Sequence, residues 1–478
     1  MAYNTYQNPL IHRYASQEMS YLFSPEFRFR TWRKLWVALA KEEKNLGLGI
    51  SQEQIDELEQ YQNDINYDEA WKQEKNIKHE VMSHIYAYGL QCPNAKKIIH
   101  LGATSAYVLD NTDLIQMKEG LTLIKKQMVN LIRCLKDFSI KYKELPTLGF
   151  THFQPAQPTT VGKRGTLWLQ DLVYDYYDLT YRIKELPFRG VKGTTGTQNS
   201  FLKLFEGDAD KVKTLDIKVT QSMGFAKRAN VTGQTYSRKI DYHILSVLSS
   251  IAQTAHKFSN DLRLLQNLGE LDEPFEEDQV GSSAMPYKRN PMRSERIASL
   301  ARYVINLSLN GAYTHAGQWL ERTLDDSANK RLSIPEAFLA VNTILNLFHN
   351  IINGLKVHEK VIERRLKDEL PFMITEDILM EGVKRGGDRQ EIHEIIRKNS
   401  VLASHQIKEL GMQNPLTELL GKENKIPFTS QEIQDLLHSK RFIGMSPIQV
   451  TDFIKEEIDP ILESESECLE DYSPQMVV

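Results

Sequence analysis

A chain of 478 residues has room for roughly three domains at about 150 residues each, and for a large core. Lys+Arg 59 against Asp+Glu 63 leave a net charge of −4, which argues against the basic field of a nucleic-acid-binding module. Hydrophobic residues at 41% with a mean hydropathy of −0.43 exclude a disordered chain, and no window nears the roughly 18 uninterrupted apolar residues of a membrane span. Glycine (25) and proline (17) both fall below average usage, which leans the chain toward helix. Cys92, Cys134 and Cys468 are too few and scattered for a disulfide framework or a Cys-rich zinc site. With an N-terminus lacking an apolar signal region, they point to a cytoplasmic protein.

In chain order, Ser24-Pro25-Glu26 reads as a helix start, with Ser as N-cap and Pro at the first helical position. Phe29, Trp32, Leu35, Trp36 and Leu39 follow at helical spacing, and Gly47 is the stop. Segment 162–186 reads as a long helix. Residues 234–268 contain no Gly or Pro and keep a helical period from Ile240 to Leu265, which predicts a rod of about 50 Å. Segment 292–331 reads as one further long helix, although Gly311 and Gly317 interrupt its pattern. Strand signals are thin: β-rich dipeptides occur at 192–197 and around Val231, without an alternating run of six. The expected fold is all-α, a long-helix bundle flanked by two smaller helical regions, divided as 1–111, 112–365 and 366–478.

Chemically unusual residues gather in three irregular segments: His100-Leu-Gly-Ala-Thr-Ser105, Thr151-His-Phe-Gln-Pro-Ala-Gln157, and the loop from Glu273 to Pro291. His79 and His84 resemble a zincin pair with one residue too many, and five residues turn a helix by about 140°, so they do not share a metal. Gly190, Gly193 and Gly196 match no nucleotide fingerprint and read as a backbone turn, whose open alternative is a turn that lets a ligand approach. In the third segment, Glu270, Asp272, Glu273, Glu276, Glu277 and Asp278 precede Gly281-Ser282-Ser283, and Lys288, Arg289, Arg293 and Arg296 follow. One reading is a solvated, mobile loop. The other is a nest of amides and hydroxyls around a carboxylate, with Ser282 activated beside Lys288 and Arg296 anchoring a second anion. His152, on a constrained polar loop, suits proton transfer near neutrality. Arg322 to Arg331 is either a surface ion-pair strip or a clamp for phosphate or carboxylate.

Together these segments resemble the fumarase/aspartase superfamily: Gly281-Ser-Ser-Ala-Met-Pro-Tyr-Lys-Arg-Asn-Pro291 is similar to its G-S-S-x-M-P-x-K-x-N-P signature. Residues 100–105, 147–157, 188–197, 232–236, 287–296 and 321–329 resemble the adenylosuccinate lyase family, nearest its animal-type branch, and the similarity runs from about Arg13 to beyond Pro371. The resemblance implies a three-part all-α chain whose central helices form a homotetramer core, with each active site drawn from three subunits. It also implies cofactor-free, metal-free β-elimination of fumarate from adenylosuccinate and from the succinylcarboxamide ribotide of purine synthesis.

The proton to be removed is only weakly acidic, and its loss creates an aci-carboxylate, so such a site needs concentrated positive charge and amide donors. By the resemblance, Ser282 is the base, Lys288 and Asn290 stabilise the dianion, His152 protonates the leaving nitrogen, and Glu295 orients that imidazole. His79 lies on the phosphate side, flanked by Lys78 and Glu80 where the family usually reads Arg and Asp; charge is kept, but the fork of Arg is lost. Arg13, Arg296, Arg322 and Arg331 match anion-binding positions, with Tyr14, Thr104, Ser105, Thr151, Gln234 and Ser327 completing the contacts. The competing readings are another fumarate-releasing lyase, such as argininosuccinate lyase or aspartase, and a non-catalytic structural relative. Arg13-Tyr14 and the Arg322–Arg331 strip favour a nucleotide phosphate over the first. Intact His152, Ser282, Lys288 and Glu295 argue against the second.

Overall fold

The computed structural model describes residues 4–437 and 442–469. Its body is five long helices, Ala106–Lys141, Val161–Glu185, Lys239–Asn267, Met292–Ala316 and Asp326–Gly354. Each packs on at least two of the others, and Met292–Ala316 lies against Lys239–Asn267 and Asp326–Gly354. Their shared interior is apolar and aromatic: Phe258 stacks on Phe348 at 3.9 Å and meets Trp168 edge-on at 5.1 Å. Gly311 sits inside its helix because the crossing is tight, since a Cβ there would lie 2.8 Å from Tyr242 Cα.

The amino-terminal prediction holds. Ser24 Oγ accepts the Phe27 N–H at 3.2 Å, Pro25 opens the helix Pro25–Asn45, and Phe29, Trp32, Leu35, Trp36 and Leu39 are buried. The chain leaves this helix through Gly47 at φ 99°.

Three expectations need correction. The predicted 234–268 rod is 29 residues, Lys239–Asn267, or about 44 Å. Residues before it are drawn out of helix by tertiary bonds: Gln234 N–H donates to the Glu321 carbonyl at 3.0 Å and Tyr236 N–H to Asp110 Oδ2 at 2.9 Å. Segment 292–331 is two helices, broken between Ala316 and Asp326 where Gly317 ends the first and Leu320 takes a left-handed φ of 43°. The main strand pair is not near 192–197 or Val231, where only the bridge between Phe188 and Arg228 occurs. It is an antiparallel hairpin, Pro146–Thr151 with Gln154–Thr160, paired Thr147 to Thr159 and Thr151 to Gln154 with an irregularity between Leu148 and Phe150. Pro146, Pro155 and Pro158 remove donors from its ladder, which is why no strand signal stands in the sequence.

Residues from Leu10 to Ile362 share one continuous core, which Val450, Ile454, Ile458 and Ile461 rejoin. Between them Ile374, Ile378, Ile392, Ile396, Leu416, Leu420 and Ile433 build a separate core with the helices Thr375–Lys384 and Arg389–Leu410, while Leu366 and Leu370 of the helix Glu359–Met373 cluster with Leu148 of the hairpin. The three cysteines are free thiols. The last residues of the acidic tail, 470–478, lie outside the described residues.

Candidate active site

The predicted residues fall into three places. The first is a cavity of about 180 Å³ whose wall includes Arg28, Arg322, Ser327, Lys330 and Arg331, with Asp110 and Asp113. Glu80 Oε2 takes both Arg331 Nη2 at 2.9 Å and Arg28 Nη2 at 3.2 Å, so one carboxylate oxygen gathers two guanidiniums. Arg322 Nη1 donates to both oxygens of Asp326, at 2.9 and 3.0 Å. His79 is the N-cap of the helix Glu80–Gln91: its Nδ1 accepts the Met82 N–H at 3.2 Å. A neutral His79 therefore carries its proton on Nε2, which stands 3.5 Å from Ser105 Oγ. Thr104 and Ser105 form the turn that starts the Ala106–Lys141 helix. Lys78 is exposed and ends the helix Tyr67–Ile77 in a left-handed conformation. Arg13 is exposed in the turn Leu10–Tyr14, and the Arg296 guanidinium lies 5.3 Å from the centre of the Tyr14 ring.

The second place is the hairpin tip. Thr151, His152 and Phe153 are exposed, and His152 and Phe153 are the two central residues of the turn, at φ 55° and 57°. Positive φ at both positions is the type I′ turn that suits a right-twisted hairpin and that normally takes Asn-Gly. Here His-Phe occupies it at a conformational cost.

The third is the signature loop. Ser282 Oγ accepts N–H groups from Met285 at 3.2 Å and Ala284 at 3.4 Å, and amide donors on that oxygen favour its deprotonated form. Asn290 Nδ2 donates to the Gly281 carbonyl at 2.9 Å. Lys288, Asn290 and Glu295 line one cleft of about 750 Å³ with Arg263 and Asn267. Within one chain, among the described residues, no hydrogen bond or ion pair joins His152 to Glu295.

Gln234 is placed by its backbone: its carbonyl accepts Arg189 Nε at 2.8 Å. The glycine turn 190–196 is packed against the protein itself, since a Cβ on Gly196 would meet the Thr232 carbonyl oxygen at 1.9 Å. His79 and His84 are in unrelated settings. His84 is buried, stacked on Phe29 at 3.9 Å, and burial followed by the nearby Arg33 and Arg28 pushes its pKa down to about 3.

The acidic run is not a uniformly solvated strip. Glu270 is buried and joined by Thr147, Arg164 and Arg365. Asp272 pairs with His358 at 2.9 Å. The buried carboxylate of Glu273 accepts the first free N–H groups of the Met292–Ala316 helix, Ser294 at 2.6 Å and Arg293 at 3.0 Å. Arg293 in turn donates to the Pro274 carbonyl and to Glu276 Oε1 at 2.7 Å. These bonds close the neck of the signature loop. Sequence reasoning missed this neck, and it missed Arg28 and Asp326. Asp326 stood inside a quoted motif without a role, and nothing near Arg28 in the sequence distinguishes it from other helical arginines.

Solved structures share this fold along nearly the whole chain. The 3-carboxy-cis,cis-muconate lactonizing enzyme from Pseudomonas putida superposes with a TM-score of 0.82 at 21% identity, covering 95% of this chain and 100% of that one. A fumarate lyase from Mesorhizobium sp. BNC1 gives 0.79 at 20% identity with the same coverage. The sequence matches the family described as Lyase over residues 35–306. Fold and signature loop together define a lyase of the fumarase/aspartase superfamily. Residues 371–453 match the family described as Adenylosuccinate lyase C-terminus. Adenylosuccinate lyases from Saccharomyces cerevisiae and Schistosoma mansoni are 49% and 45% identical, each over 98% of both chains. The chain belongs to the adenylosuccinate lyase family.

Proposed function

We propose that the chain cleaves adenylosuccinate to AMP and fumarate, and the succinylcarboxamide ribotide to the free carboxamide ribotide and fumarate. The observation that carries this is the 49% identity to the yeast enzyme over 98% of both chains. The cation-lined cavity supports it, since the substrate brings a phosphate and two carboxylates to a net-acidic protein and local cations must receive them. Arg13, Tyr14, Lys78, His79, Glu80, Thr104, Ser105, Gln234, Arg322, Ser327 and Arg331 bind the nucleotide side. Thr151, Arg296 and Asn290 bind the succinyl side.

Ser282, as its alkoxide, takes the proton from the carbon between the reacting C–N bond and the far carboxylate. The electron pair left behind is held as the aci-carboxylate by Lys288 and Asn290 and then forms the C=C bond. The C–N bond breaks, and His152 gives its proton to the departing nitrogen while Glu295 orients the imidazole.

Since His152 and Glu295 do not meet in one chain, we assign the working unit to a homotetramer with sites shared between subunits. Leu167, Tyr174, Tyr177 and Tyr181, all more than half exposed, fall within an arc of about 80° on the Val161–Glu185 helix and supply an apolar face for such contact. The division at 1–111, 112–365 and 366–478 and a cytoplasmic location belong to the same proposal. No helix among the described residues is long and apolar enough to cross a membrane.

The test is to incubate the purified protein with each substrate and follow fumarate by proton NMR. Fumarate from both supports the reading. Fumarate from neither, in a folded oligomer, sinks it.

A further inference from the structure

Beneath the cation-lined cavity lies a buried lattice of charges. Arg238, 1% exposed at the start of the Lys239–Asn267 helix, donates from Nε to Asp326 Oδ2 at 2.5 Å and from Nη2 to Asp110 Oδ1 at 3.0 Å. Asp326, 0% exposed, is the same carboxylate that receives Arg322. The other oxygen of Asp110 accepts the Tyr236 N–H, which fixes the irregular segment that carries Gln234. The Arg238 guanidinium lies 4.3 Å from the centre of the Tyr236 ring, and the Tyr236 hydroxyl donates to Asp241 Oδ1 at 2.6 Å.

Buried ion lattices of this kind are often no more stabilising than apolar packing of similar volume, so stability alone is a weak account of this one. Here the lattice ends on two residues of the nucleotide side. Alone, Asp326 would be a full counter-ion to Arg322 and would compete with a substrate anion for it. Shared with Arg238, its charge is divided, and Arg322 keeps its orientation while remaining free to take an incoming anion.

We propose that Arg238 and Asp326 are positioning residues that set Arg322, and through Asp110 the Gln234 segment, for the phosphate end of the substrate. The inference rests on the reaction proposed above. Neither residue touches the reacting atoms.

The test is steady-state kinetics of Arg238→Lys, which keeps the charge and loses the two-sided fork. The KM for adenylosuccinate and the inhibition constant of AMP should rise together by about tenfold, with kcat and the inhibition constant of fumarate within about twofold. Unchanged constants overturn the inference, and so does an equal loss of AMP and fumarate inhibition, which would report general damage to the site. If Arg238→Lys does not fold, Asp326→Asn carries the same expectation and the same refutation. A crystal of the unmodified chain with AMP is the remaining check: Arg322 should reach the phosphate while still bound to Asp326, and an Arg322 turned away from AMP overturns the inference. Wild-type protein that releases no fumarate removes the proposed reaction itself. An active wild type with a kinetically normal Arg238→Lys removes only the positioning role.

Discussion

Substituting His152 by Asn separates the chemical role of this residue from its conformational cost. His152 and Phe153 both lie in the left-handed region, where a residue other than Gly, Asn or Asp costs about 1 kcal/mol. Asn tolerates that region and avoids the unfolded-chain entropy that Gly would add, so His152→Asn should tighten the turn by about 0.5–1 kcal/mol. The His152 side chain is exposed, so its removal sacrifices little packing. Hydrogen exchange resolves the effect locally, where a melting curve of a chain this large would not. Amides of the 146–160 hairpin should exchange about two- to fivefold more slowly than in the wild type. Elimination should fall by about 10²-fold or more through loss of the general acid. A less protected hairpin would refute the strain argument. Retained turnover would refute the assignment of His152.

Ser282→Ala should reduce elimination by about 10²-fold or more with an unchanged oligomer by light scattering, and near-normal turnover would move the base elsewhere. Glu273→Gln loses one of two helix-terminal acceptors. Proteolytic nicking within 274–291 should quicken about fivefold or more while the rest of the chain resists as before, and an unchanged rate would show that the neck is closed by other bonds. Glu43 is fully buried without a partner for either oxygen among the described residues, and burial pushes its pKa up to about 9. The folded state then holds a proton that the unfolded state releases between about pH 4.5 and 9, so this group's contribution to stability declines as pH rises through that window, by about 1.4 kcal/mol per unit at most. The Tm advantage of Glu43→Gln over the wild type should therefore widen from pH 6 to pH 8, and a constant difference would refute the raised pKa. Chelator should leave turnover unchanged, and a loss restored by zinc would give His79 a metal role.

What the sequence reveals depends on how local the determining force is. The Pro25–Asn45 helix is legible because cap, first-position proline and apolar face all lie within one segment. The 239–267 helix is legible in its body but not at its start, because Asp110 and Glu321 take the backbone of residues 234–236 from far along the chain. The hairpin is hidden by its prolines; Arg164 helps to hold it, donating to the Leu148 carbonyl at 2.5 Å. Site residues are legible as types in irregular segments, and the signature loop most of all. Their pairings are not, since an acidic run gives the same pattern whether Glu270 and Glu273 are buried anchors or solvated charges. Only burial separates the two.

The proposed acid and base stand on segments of opposite mechanical character. His152 occupies a two-residue turn whose neighbours are tightly held: Gly149 packs so closely that a Cβ would meet the Gln157 carbonyl oxygen at 2.4 Å, and Phe150 and Phe153 pack with ring centres 5.5 Å apart. Ser282 occupies a largely exposed loop whose neck, at Glu273 and Arg293, is buried and multiply bonded, but whose crown is held by a few bonds such as Asn290 to Gly281. A proton donor to a leaving nitrogen has to sit at a fixed distance, because misplacement by about 1 Å costs orders of magnitude in rate. A base that must reach a proton in an enclosed site has first to admit the substrate and then exclude water, which asks for a segment that moves between fixed ends. Under the proposed roles, the strained turn and the pinned loop would meet these two demands separately, the one accepting the energetic cost of His-Phe in a type I′ turn and the other closed at its neck by a buried carboxylate.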